Sequence, residues 1–146
     1  MKQFKRALAK IIALCLILSL ALPITASAVD NNTTPYASYY LNAYNTYICD
    51  LGNGNIQIWY EVAATGRMDE VGVLSIILYE VNSDGSLTRV KTFLHENYDS
   101  MLATNDNYIY SYVSYQGSSG KTYKAQVCFW AGKNGSGDTR YMWALE

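Results

Sequence analysis

Asn55-Ile56-Gln57-Ile58-Trp59-Tyr60-Glu61-Val62-Ala63-Ala64-Thr65 is the stretch that decides the fold. Ile56, Ile58, Tyr60, Val62 and Ala64 fall on one side of an extended chain. Gln57, Trp59, Glu61, Ala63 and Thr65 fall on the other. Alternation with a period of two marks a half-buried strand, and β-branched and aromatic side chains suit its pleated surface. Just upstream, Leu51-Gly52-Asn53-Gly54 holds an Asn-Gly pair that tolerates left-handed backbone, so residues 38–49 become the hairpin partner.

Downstream, 73–81 is apolar enough for a central third strand. Asn82-Ser83-Asp84-Gly85-Ser86 turns the chain into a fourth at 87–93. Residues 94–105 read as irregular. Residues 107–115 form a fifth strand, with Tyr108, Tyr110 and Tyr112 on one face against Ile109, Val113 and Tyr115. After a turn at 116–120, 121–131 is the sixth strand, with Tyr123, Ala125, Val127 and Phe129 inward. A glycine-rich loop at 132–137 leads to the seventh at 138–145. Seven short strands with turns every ~8–12 residues predict an all-β, antiparallel seven-stranded sandwich over 38–146.

The chain of 146 residues carries 11 Lys+Arg and 12 Asp+Glu, a net charge of -1. Lys2, Lys5, Arg6 and Lys10 give residues 1–28 a charge of +4 with no acid. The rest keeps seven bases against all twelve acids, a net of -5. The basic start, an apolar run from Ile11 to Leu22 closed by Pro23, and Ala26-Ser27-Ala28 have the pattern of a secretory signal peptide cut after Ala28. A run of 12 is short of the ~20 apolar residues that a spanning helix needs. The expectation is a secreted, extracellular protein with 1–28 removed, 29–37 as a flexible leader, and no membrane span afterwards. The acidic remainder argues against nucleic acid as a partner.

Gly120-Lys121-Thr122-Tyr123-Lys124-Ala125-Gln126-Val127 resembles the F-strand entry of fibronectin type III and immunoglobulin-like domains. That resemblance implies that Tyr123 is a corner tyrosine bonding back across the turn. Over 38–146 the chain is similar to a family of short secreted proteins of Gram-positive bacteria, each a signal peptide plus one domain of unknown function. The matching stretches are Thr65-Gly66-Arg67-Met68-Asp69-Glu70-Val71-Gly72, Ile77-Leu78-Tyr79-Glu80, Val113-Ser114-Tyr115-Gln116-Gly117, Gly120-Lys121-Thr122-Tyr123 and Gly137-Asp138-Thr139-Arg140. The resemblance implies a fold and no activity.

Cys49 and Cys128 remain after cleavage. Export favours a disulfide between them. Strand parity opposes it: a turn over 51–54 puts Cys49 opposite Ile56, facing inward, whereas Cys128 shares the outward parity of Lys124, Gln126 and Trp130. Both states stay open. Catalytic chemistry finds little support. His95 is the only histidine and has no nucleophile motif near it, so neither a triad nor a zinc site is expected. Asp69-Glu70 would point to opposite faces of a strand and read as turn residues. Asn82–Gly85 and Asn105–Asn107 are oxygen-rich but lack the later ligands of a calcium loop. Lys133 precedes the later glycines of its loop, unlike a phosphate-binding loop. No catalytic residue, cofactor or metal is expected.

The aromatic residues are what could recognise a partner. Trp59, Tyr108, Tyr110, Tyr112 and Trp130 form the candidate binding surface, because aromatic planes bind sugars and anchor interfaces. The leading expectation is a non-catalytic extracellular module that binds a glycan or a protein. The alternative is a matrix or envelope component acting by self-association along strand edges, with an unrecognised hydrolase a distant third.

Overall fold

A computed structural model describes residues 38–146. The expected signal peptide at 1–28 and leader at 29–37 lie outside the described residues. Six strands follow in order: β1 (Leu41–Gly52), β2 (Asn55–Val81), β3 (Leu87–Leu94), β4 (Leu102–Gln116), β5 (Thr122–Lys133) and β6 (Ser136–Leu145). Two single 3-10 turns, His95–Asn97 and Asp99–Met101, join β3 to β4. All pairings are antiparallel and belong to one sheet.

The number of strands differs from expectation. The predicted second and third strands are one continuous strand of 27 residues. Thr65–Gly72 reads as a turn because of its glycines and charges, yet Met68 and Val71 are buried and keep the segment extended. The register with β4 slips between Ala63 and Met68, and β2 exchanges partners along its length. Its first half lies between β1 and β4, and its second half between β3 and β5, with β6 beyond β5. Asp69 and Glu70 therefore sit in the strand. The Asp69 carboxylate accepts a 2.6 Å hydrogen bond from the Asn134 backbone N–H, which fastens the β5–β6 turn to the middle of β2.

The inward parity of the deciding stretch is as read: Ile56, Ile58, Tyr60 and Val62 are buried almost completely. They meet Val71, Val73, Ile76 and Leu78 from the second half of β2, with Phe93, Met101, Tyr123, Val127 and Phe129, in a single core. The sheet curls over that core: Tyr44 of β1 packs on Phe129 of β5, ring centroids 5.0 Å apart. Each fully buried large apolar side chain contributes roughly 1.5–3 kcal/mol relative to exposure. These strands and this core all belong to one compact unit, Pro35–Glu146.

Two buried hydroxyls are hydrogen-bonded where connections meet the core. The buried Tyr60 hydroxyl donates to the Ser100 carbonyl at 3.0 Å, holding the 3-10 connection, and burial raises its pKa. The Tyr123 hydroxyl, also buried, accepts from the Ser118 N–H at 3.0 Å, five residues back across the turn. Asn53-Gly54 and Asn134-Gly135 all have positive φ and make two-residue hairpins, the turn type expected of Asn-Gly.

The cysteine parity needs correcting. A register shift between Asp50 and Gly52 places Cys49 opposite Gln57 rather than Ile56, on the outer face. Cys128 sits between Ser75 and Tyr141 on the outer side of the second half. The core lies between them, and both are free thiols. In unreduced native protein Cys49, which is partly exposed, is expected to react with a thiol reagent promptly, and the buried Cys128 only after denaturation. Loss of both signals from denatured, unreduced protein contradicts this.

Candidate functional site

The outer face of the first half of β2 gathers aromatic side chains from three strands. The registers align Tyr47 of β1, Trp59 of β2 and Tyr112 of β4 in one row. The next row runs Asn45, Glu61, Tyr110, and the one after it Ala43, Ala63, Tyr108. Alternation sends all of these side chains to the same side of the sheet. Trp59 is the centre. Its ring stacks with Tyr110 at 5.0 Å, meets Tyr112 at 4.5 Å, and lies 9° from parallel with Tyr47 at 6.3 Å.

Hydrogen bonds hold the rings in place. Trp59 Nε1–H donates to Gln57 Oε1 at 3.2 Å. The Tyr47 and Tyr110 hydroxyls meet at 2.9 Å. The Tyr108 hydroxyl donates to Glu61 Oε1 at 2.9 Å, and this bond raises the Tyr108 pKa. The Tyr110 bond, followed by desolvation, pushes the Tyr47 hydroxyl up to about 12. A raised phenol pKa means that the fold favours the neutral form. The contribution is whole below the ordinary value near 10 and is lost as pH rises through about 12. An alkaline absorbance titration is expected to show a phenolate step near 12 that Tyr47→Phe removes; an unchanged curve contradicts the pairing.

The face is open. Tyr47, Tyr108, Tyr110 and Tyr112 are 42%, 46%, 50% and 42% exposed. Half of the ~200 Å² that a large aromatic side chain can bury is on the order of 100 Å² per ring, so together they present roughly 400 Å², comparable to the largest patch on a typical monomer. Where Ala43 and Ala63 stand in place of rings, a hollow of about 120 Å³ opens beside Asn45 and Glu61.

The structure thus brings together Trp59, Tyr108, Tyr110 and Tyr112 and adds Tyr47, which parity within one strand could not assign. Trp130 does not join them. It stands on β5 opposite Gly72, beyond the point where β2 changes partners. Its ring lies so close to Gly132 and Gly137 that a Cβ at either would come within 2.4 Å of it. It lines a separate cleft of about 360 Å³ with Asp69, Glu70, Thr104, Lys133 and Ser136. Two exposed aromatics on the other outer face also went unread: Tyr141, and Trp143, which packs against Tyr79 at 5.7 Å.

His95 opens a 3-10 turn. Among the described residues no three His, Cys, Asp or Glu side chains are grouped to hold a metal ion, and no helix is long and apolar enough to cross a membrane. Comparison with known protein families, curated proteins and solved structures returns no match for this chain.

Proposed function

We propose that this protein is a secreted, non-catalytic binding module whose platform of Tyr47, Trp59, Tyr108, Tyr110 and Tyr112 takes an extended glycan. The carrying observation is the clustering of these five rings on one open face, centred on Trp59. Sugars present apolar C–H faces rimmed by hydroxyls. The platform is complementary in kind: an apolar plane bordered by tyrosine hydroxyls, the Glu61 carboxylate, Gln57 and Asn45. Its open exposure suits a polymer chain better than a small ligand, which needs a concave pocket to bury most of its surface. Extracellular location is part of the proposal and rests on the basic, apolar and Ala-Ser-Ala segments of residues 1–28.

The finer fold reading, an immunoglobulin- or fibronectin type III-like sandwich, is likewise proposed. It is supported by the Tyr123 bond to Ser118 and by the two facing halves of the sheet. Kinship with a family of short secreted Gram-positive proteins is also proposed and rests on stretches such as Thr65–Gly72 and Val113–Gly117.

The test is retention of the 35–146 unit on a panel of insoluble polysaccharides, with tryptophan emission followed against soluble oligosaccharides of the same composition. Saturable binding with an emission shift is expected. A folded protein that ignores the whole panel overturns the proposal.

A further inference from the structure

We infer that the open edge of β4 is a pairing site for a second copy of this chain. β4 pairs with β2 alone among the described residues. An antiparallel edge strand turns every second residue's N–H and C=O to its free side, leaving about five such pairs over residues 107–116. Proteins normally blunt such an edge with charge, proline, a bulge or a covering element. The edges at β3 and β6 are managed in that way. β3 carries Arg89 and Lys91, and β6 carries Asp138 and Arg140. The entry to β1 is tied to β6 by the hydrogen bond from Ser38 to the Asp138 carboxylate.

Residues 107–116 of β4 have no such protection. Asn107-Tyr108-Ile109-Tyr110-Ser111-Tyr112-Val113-Ser114-Tyr115-Gln116 contains no charge, no proline and no glycine. Its irregular point, Asn105 at φ 55°, lies before this run. The composition is that of a strong strand-pairing template.

The run also complements itself. Two antiparallel copies must keep outward residues opposite outward residues, so the two-fold axis passes through a residue rather than between two. An axis at Ser111 sets Tyr110 against the second copy's Tyr112 twice over on the outer face. It sets Ile109 against Val113 on the inner face, and it spans nearly the whole run. An axis at Tyr112 sets Ile109 against Tyr115 and leaves Ser111 against Val113. Aromatic and β-branched cross-strand pairs stabilise a sheet, which selects Ser111. The result is a six-stranded outer face on which the two aromatic platforms join side by side. The occupant is a second copy because no like charges meet across this axis.

The test needs no glycan, so its failure and that of the glycan proposal are separate. Sedimentation of the 35–146 unit over a wide concentration range is expected to show a monomer–dimer equilibrium. Hydrogen exchange is expected to show amides of 107–116 gaining protection as concentration rises. Tyr110→Lys with Tyr112→Lys places like charges opposite each other at both pairs and is expected to weaken the dimer by ~10-fold or more. Tyr110→Lys with Tyr112→Glu places opposite charges there and is expected to retain it within ~3-fold. A strict monomer whose β4 exchange ignores concentration overturns the inference. Equal weakening by the two double variants overturns the Ser111 axis.

Discussion

Replacing Gly72 with alanine is expected to cost about 3–5 kcal/mol of folding stability, while the same change at Gly66, six residues away on the same strand, costs less than ~0.5 kcal/mol. Gly72 has φ +150°, in a region that side-chain-bearing residues rarely adopt, and an added Cβ would stand 2.2 Å from the Met101 carbonyl oxygen. That oxygen is backbone, so a side chain cannot simply swing clear. Met101 is itself wholly buried and ends the second 3-10 turn. Strain at such a φ is worth ~1–3 kcal/mol and overpacking against a fixed wall another ~1–3. Gly66 has no unusual φ, and nothing lies within 4 Å of its Cβ position. For a domain of this size the Gly72→Ala loss corresponds to a fall in Tm on the order of 10–20 °C. Urea and thermal unfolding followed by circular dichroism decide it; coincident curves for the two variants contradict the account.

Gly72 also marks where the sequence stopped being legible. Alternation within 55–65 and the Asn-Gly turn are local properties, and local reading recovered them. The join between the second and third predicted strands is not local. Thr65-Gly66-Arg67-Met68-Asp69-Glu70 looks like a turn until β4 supplies a pairing edge from Met68 and β5 joins on the other side from Glu70. A register shift at Asp50 inverted the reading of Cys49 because one bulged residue exchanges the two faces of a strand. The candidate site follows the same division. Tyr108, Tyr110 and Tyr112 share a face by parity alone. Tyr47 joins Trp59 only through the β1–β2 register, and Trp130 leaves them because β5 pairs with the other half of β2.

Removing the Trp59 ring is expected to weaken glycan binding at least ~30-fold, while Trp143→Ala leaves it within ~2-fold. Trp59 is half-buried and supports its neighbours as well as presenting its own surface. Tyr47, Tyr110 and Tyr112 each lean on it, so alanine removes the plane and frees three flanking rings to rotate. A central aromatic that orders its surroundings is where binding energy concentrates, and ~2 kcal/mol or more is typical of such a truncation. Trp143 is the matched control: it is 45% exposed and packs at a tilt against a tyrosine, but it lies on the opposite outer face beside Lys124 and Leu145. Trp59→Phe keeps a plane at the centre and is expected to fall between the two. Circular dichroism establishes that each variant is folded before affinity is read. The ligand-dependent emission shift should vanish in Trp59→Ala and persist in Trp143→Ala. Equal losses in both variants would move the binding surface away from the platform, and a loss confined to Trp143→Ala would place it on the β5–β6 face.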